Sequence, residues 1–364
     1  MEWLNNNTLI GITDKRGKAW HYDEAWQGTE PNHYPGFIPV KDVERRLFGF
    51  DPIEAKAAAL KPLLPEQLAQ PITMATRQDN WVMVGGSWFE VVVDDEHKAI
   101  MDPDNDVVFD YPTPDYAIHN YRQWLLKNVA TLLDADLGIS SAGLLRRRAQ
   151  AWVEVSMPEN IDTPEGVTFR PNLLAFTSLD RTLSTTYKRT IHLVVCDNTL
   201  QARIGEEGET FRIKHTANSL DRLSEARQAL NIMYQATDEF SAEVAEFCRV
   251  EVTEKRWQEI LGFLVPMVDQ KGEKKQGRSL TFATNKRDKL DEMYRYDDRC
   301  SPWTGTKFGV IQTCNTFNLH ESIVRNTYGG GRVERNQLKI ISSQSATVDN
   351  FVAQVVDDIL AASA

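Results

Sequence analysis

The sequence predicts an α+β fold: an antiparallel, curved sheet backed by long amphipathic helices, behind an irregular, aromatic-rich N-terminal segment. Three observations carry this expectation. β-Branched and aromatic runs broken by turn formers fill 81–111 and return over 150–200. Apolar residues recur at helical spacing over 116–133 and 219–250. Within the later strand segments apolar and polar residues alternate, which predicts a sheet with one wet face.

In chain order, the stretch "AWHYDEAWQGTEPNHYPGFIP" mixes Trp20, Trp26, His33 and Tyr34 with Gly and Pro, and reads as packed but irregular. The following "PVKDVERRLFGFDPIEAKAAAL" reads as a helix with Asp42, Glu44, Arg45 and Arg46 on its wet side. "WVMVGGSWFEVVVDDEHKAIMDPDNDVVFDY" reads as an antiparallel meander broken at Gly85-Gly86, Asp94-Asp95 and Pro103-Asp104. A helix capped by Thr113 is expected through Trp124, Val129 and Leu132. Strands follow to Cys196, "GEEGE" reads as a hairpin tip, and a long helix opens at Ser219. A shorter helix is stopped by Pro266, and an exposed, mobile loop leads to a helix capped at Asn285. "WTGTKFGVIQTCNTFNLHES" reads as a core helix, and the glycines of "NTYGGGRVE" mark a loop before the C-terminal helix. The chain divides into an N-terminal α+β region, 1–150, and a central sheet with C-terminal helices, 151–364, or forms one continuous domain.

The chain has 364 residues, 41% hydrophobic and 26% charged, enough to bury one large core or two smaller ones. A net charge of -11 confines any nucleic-acid surface to a local basic patch. No stretch approaches the roughly 18 apolar residues of a membrane span, and the start lacks the features of a signal peptide. A cytoplasmic protein with no membrane partner is expected. Cys196, Cys248, Cys300 and Cys314 are too few and too dispersed for a disulfide framework or a zinc site, so they read as reduced, mostly buried thiols.

Common catalytic signatures are missing. "GGGRVE" lacks the Lys-Ser/Thr of a phosphate-binding loop, and "VMVGGSW" is not a dinucleotide fingerprint. No cofactor and no metal are expected. His21, Asp23, Glu24 and His33 match no specific metal spacing. Cys196 could be a nucleophile with His192 or His215 as base, but it ends an apolar run and reads as core.

The cations are more informative. Arg181, Tyr187, Lys188, Arg189, Arg203, Arg212, Lys214 and His215 fall on the expected strands and turns, and Lys274, Lys275 and Arg278 on the loop before the helix at Asn285. On one face they would hold a phosphate backbone, with Tyr187 stacking a base. The competing expectation is that they pair with Glu206, Glu207, Glu209 and Asp221 as solvated charges.

The order "PNLLAFTSLDRTLSTTYKRTIHLVVCDNTLQ", "IKHTANSLDRLSEARQALNI", "NKRDKLDEMY" and "TGTKFGVIQTCNTF" resembles a phage/plasmid-like family catalogued as a domain of unknown function and associated with lateral gene transfer. The likeness runs from about Trp20 to about His320 and is most specific at Val194–Leu200 and Lys214–Asn218. The chain departs from the family pattern at Ala25–Gly28 and at Asp197, where Asn is usual. The resemblance implies a mobile-element setting, and the layout is similar to that of single-strand annealing proteins. The expected function is therefore single-stranded DNA binding and annealing by a homo-oligomer, without nucleotide hydrolysis. Two alternatives are an interaction protein that binds a host protein, and a metal-dependent nuclease or nucleotide-modifying enzyme using Asp94, Asp95 and Glu96.

Overall fold

In the computed structural model the described residues are 2–16, 24–27, 30–69, 72, 77–133, 137–193, 198–200, 211–213, 224–325, 327–342 and 344–362. Helix α1 (Glu2–Asn7) leads into strand β1 (Thr8–Ile10), followed by α2 (Thr13–Arg16) and α3 (Val40–Arg46). The helix expected to run on from α3 stops there. Residues 53–62 instead form strand β2 (Ile53–Pro62), although three of them are consecutive alanines. Pro52 disfavours a helical residue before it, and ten backbone pairings to a neighbouring strand outweigh the helix preference of alanine.

That neighbour is β4 (Ser87–Asp102), which also pairs with β3 (Trp81–Val84) and β5 (Val107–Asp110) in a four-stranded antiparallel sheet. Gly85 and Gly86, at φ 59° and 82°, make the tight β3–β4 turn that needs two left-handed residues. Asp94-Asp95 does not break β4. The register instead jumps from Lys56 opposite Lys98 to Ala57 opposite Asp94, so residues 95–97 form a bulge.

The helix expected from Thr113 starts later. Asn120 caps it by accepting from the Arg122 N–H at 2.8 Å, and a π-helical turn, Tyr121–Leu126, passes into α4 (Lys127–Ala130). Tyr121, Trp124, Leu125 and Val129 are its buried face.

The main sheet comprises β1 with β6 (Gly138–Leu145), β7 (Gln150–Ser156), β8 (Ile161–Asp162), β9 (Thr168–Ser178), β10 (Thr185–Leu193), β11 (Asn198–Leu200) and β12 (Phe211–Ile213). Its order is β1-β6-β7-β9-β10-β11, with β8 beside β9 and β12 beside β10, and the ladders are antiparallel. It draws on both sides of residue 150. β11 and β12 each pair with β10, near its two ends. "GEEGE" lies outside the described residues.

Among the described residues the expected wet face is absent from β6, β7, β9 and β10. Nearly every residue of β6, β7, β9 and β10 is buried, because helices cover both sides. One face carries Ala151, Val153, Leu173, Ala175 and Tyr187 against α3 and the Tyr121–Ala130 helix. The opposite face carries Trp152, Leu174 and Phe176 against Ile340 and Ile341.

The helices after the sheet are α5 (Ser224–Arg249), α6 (Glu254–Leu264), α7 (Gly277–Tyr296), α8 (Lys307–Thr316), α9 (Gly331–Ile341) and α10 (Gln344–Ala361). Thr253 caps α6, as its side chain accepts from the Arg256 N–H. Helix α7 begins eight residues before the expected cap at Asn285, and Ala283, Leu290, Met293 and Tyr294 form its apolar face. Helix α8 is the expected core helix, buried at every position, and continues as a π-helical turn, Phe317–Glu321. A second core joins Phe169, Ile191 and Leu193 of the sheet to Phe240, Trp257, Phe308 and Val356 of the helices.

Of the glycines of 329–331, Gly330 has a packing role. A Cβ on Gly330 would lie 2.5 Å from Cβ of Glu334 and 2.6 Å from the ring of Trp3. Glu334 is fully buried, and its carboxylate accepts from the N–H groups of Arg146, Tyr328 and Gly330 at 2.7–3.0 Å. No helix among the described residues is long and apolar enough to cross a membrane.

Candidate nucleic-acid interface

Strand alternation decides where the sheet-borne candidates go. Tyr187 and Arg189 point to one covered face and Lys188 to the other. Tyr187 is 2% exposed in the first core, and burial pushes its phenol up to about 12. This removes its ring from any surface on which a base could stack. Lys188 donates Nζ to the carbonyl of Ile340 at 3.0 Å, and Arg189 pairs with Glu239 at 2.9 Å. Arg181, in the β9–β10 turn with φ 53°, pairs with Asp110 and lies over the Tyr116 ring at 5.8 Å. The sheet therefore presents none of these four as an open basic face. Arg212 sits in β12 opposite Thr186. Arg203, Lys214, His215 and Cys196 lie outside the described residues.

The covered face of the sheet that meets α9 holds a polar cluster that the sequence motifs did not single out. Glu154 is 3% exposed and accepts from Ser141 Oγ at 3.0 Å and Thr190 Oγ1 at 2.9 Å; His192 Nε2 stands 3.2 Å from its Oε1. Burial pushes the Glu154 carboxyl up, but His192 and the two hydroxyl donors outweigh it, and the net shift is down. Arg170 donates to Asn160 at 2.5 Å, and Asn172 is buried beside Ser156 and Thr190 in the adjoining strands. The signal available in the sequence is the row of polar residues at alternate positions of "AWVEVS", "FRPNLL" and "YKRTIHL". That row predicts a wet face, since alternation alone does not say what covers a sheet.

The loop cations present a different picture. The segment Met267 to Lys275 is a tight turn: the Lys275 N–H donates to Met267 O, and Asp269 Oδ1 accepts from the N–H groups of Lys271 and Glu273. Lys275 is anchored, its Nζ donating to Pro266 O at 2.7 Å. Lys271, Lys274 and Arg278 are exposed and form no ion pair among the described residues. One helical turn after Arg278 stands Phe282, 58% exposed. Another turn on, Lys286 Nζ lies 5.5 Å from the Phe317 ring centre. Phe263 and Phe351 form an exposed aromatic pair, with ring centres 6.5 Å apart. Seven cations against two acids lie between Lys271 and Lys289, so this helix start is a cationic, aromatic-bearing surface on an acidic chain.

Asp94, beside the β4 bulge, accepts from the Glu96 N–H and bonds His97 Nδ1 at 2.9 Å; this lowers its carboxyl pKa. His33 bonds Asn32, Glu24 is exposed, and His21 and Asp23 lie outside the described residues. No group of three or more His, Cys, Asp or Glu among the described residues is placed to hold a metal ion. Burial raises the thiols of Cys248 and Cys300 to about 11 and of Cys314 to about 12, so all three are protonated at neutral pH.

Fold and surface together define an α+β protein whose main antiparallel sheet is enclosed by helices, with a group of exposed cations at the start of one of them. A domain of unknown function (DUF932) matches residues 108–339, and the chain belongs to that family. Comparison with curated proteins and with solved structures finds no match.

Proposed function

We propose that this protein binds single-stranded DNA and promotes annealing or recombination without hydrolysing a nucleotide. The observation that carries the reading is the set Lys271, Lys274 and Arg278, exposed and free of ion pairs among the described residues, beside the exposed ring of Phe282. Cations of this kind engage phosphates while an adjacent ring stacks a base without regard to sequence. The likeness to phage and plasmid proteins supports a mobile-element setting in a host cytoplasm, with the chain acting as a homo-oligomer. The test is anisotropy of a labelled oligothymidine at two salt concentrations. Affinity that falls with salt is expected, and a salt-independent or undetectable interaction would sink the reading.

A second reading, an interaction protein for a host partner, is favoured by the β2–β4 ribbon. Ala58, Leu60, Pro62, Val82, Val84, Phe89, Val91 and Val93 share one of its faces, all at least partly exposed and none charged. An apolar patch of this extent on a polar surface marks a protein contact. Size-exclusion chromatography with light scattering, alone and with host lysate fractions, separates contact between copies from contact with a host protein.

A further inference from the structure

Helix α9 carries three cations on one face, Arg332, Arg335 and Lys339, at spacings of three and seven residues. All three are half-buried, and none forms an ion pair among the described residues. Other half-buried arginines, Arg148, Arg189, Arg295 and Arg299, each hold a carboxylate within 3 Å. The nearby acids are engaged elsewhere: Glu334 faces the opposite side of α9 and binds three backbone N–H groups, and Glu321 pairs with Arg299.

The cations are held instead by uncharged oxygens at the end of the Phe317–Glu321 turn. Arg335 donates to the carbonyls of Asn318 and Leu319 at 2.9 and 3.0 Å, to Ser322 Oγ at 2.7 Å and to Asn336 Oδ1 at 2.9 Å. Arg332 uses only Nη1, toward Leu319 O and Ser322 O, and Lys339 donates to Asn318 Oδ1 at 2.8 Å. The half-charge of a helix C-terminus offsets only part of three positive charges. Burial and then Arg332 lower the pKa of Arg335, and burial and then Arg335 lower that of Lys339.

We propose that this face of α9 is an oxyanion site for a phosphate group. Arg332 and Lys339 contact the ligand, because Arg332 retains Nε and Nη2 and Lys339 retains two of its three hydrogens as donors. Both lie on the same face of α9, and their acceptors, Leu319 O and Asn318 Oδ1, belong to adjacent residues of the Phe317–Glu321 turn. Arg335, whose donors are already engaged, positions the other two. The ligand is a phosphate in either of two settings, a small phosphorylated molecule or the backbone of a nucleic acid. The site does not depend on the proposed DNA-binding surface at Lys274 and Arg278.

The experiment is calorimetric titration of the full chain with inorganic phosphate, against sodium chloride at matched ionic strength. Saturable binding is expected, weakened at least tenfold by Arg332→Gln with Lys339→Gln. Lys339→Gln alone, which removes a single side-chain hydrogen bond, is expected to fold normally by circular dichroism and to weaken binding several-fold. Lys274→Ala with Arg278→Ala is expected to leave phosphate binding unchanged even if it abolishes DNA binding. Competition by unlabelled oligothymidine would assign the phosphate to a nucleic-acid backbone, and its absence to a small ligand; either supports the site. No saturable heat, undiminished binding by the folded Arg332/Lys339 variants, or loss of phosphate binding in the Lys274/Arg278 variant would overturn it.

Discussion

Glu154 of β7 reaches across β9 to His192 of β10, its Oε1 3.2 Å from Nε2, with Thr190 and Ser141 donating to the same carboxylate. A charged acid inside a covered sheet persists because each oxygen has a donor, and its partners tie three strands together.

Glu154→Gln is therefore expected to destabilise the fold by about 3 kcal/mol at pH 7, within the usual cost of breaking a buried pair. The native carboxyl is held below the ordinary carboxylate value, so near pH 4 the unfolded chain binds more protons than the native one. The stability it contributes is complete above the unfolded value and is lost as pH falls through the native value. Urea unfolding at pH 7 and pH 4 checks this, and an acid loss of stability undiminished in the variant would refute the assignment.

Asp349 has the opposite sign. Burial pushes its carboxyl up to about 7, with Glu243 adding to the rise and the Asn315 amide, at 3.0 and 3.1 Å, opposing it. The native chain then holds a proton that the unfolded chain releases, so stability falls as pH rises from about 4 to about 7 and levels off above. Asp349→Asn is expected to raise the melting temperature at pH 8 more than at pH 5.5. An equal change at both values would contradict the shift.

The proposed DNA surface predicts a separation of binding from stability. Lys274→Ala with Arg278→Ala is expected to lower affinity for oligothymidine and to reduce the salt slope by roughly 0.7 for each phosphate no longer neutralised. Phe282→Ala should cost about 1–3 kcal/mol of binding if the ring stacks a base. Neither change should move the melting temperature by more than about 2 °C, since these side chains are exposed.

Gly143 tests the packing of the main sheet. A Cβ there would fall 1.9 Å from the ring of Trp152, which is fully buried and donates its indole N–H to Ser141 Oγ. Gly143→Ala should destabilise by at least about 1–3 kcal/mol in a denaturant titration, the range for an overpacked core.

Leu60→Lys or Val93→Lys places a charge on the apolar face of the ribbon. If copies of the chain meet there, light scattering should report a smaller particle, with no change in the far-ultraviolet spectrum. An unchanged mass would remove that face from the assembly.

Local chemistry makes much of the fold legible. Gly85-Gly86 announces its hairpin and Pro266 its helix end, because glycine and proline act through their own backbones. The apolar run around Phe308 announces a core helix. Residues 53–60 read as helix in the sequence because alanine favours one, until a partner strand supplies the ten pairings of β2. The start of α7 is hidden because its first turns carry mostly exposed residues, and its buried face begins only at Ala283.

Periodicity, turn residues and charge act over a few positions. They were enough for the α+β class, the meander, the late helices and the basic stretch from Lys271 to Lys289. Long-range packing alone settled that both faces of the main sheet are covered. That sends Tyr187 into the core, ties Lys188 and Arg189 to Ile340 and Glu239, and encloses Glu154 with His192. It also leaves Arg332, Arg335 and Lys339 without a carboxylate partner among the described residues. The partner of a side chain is set by which distant element packs over it, and no local pattern records that choice.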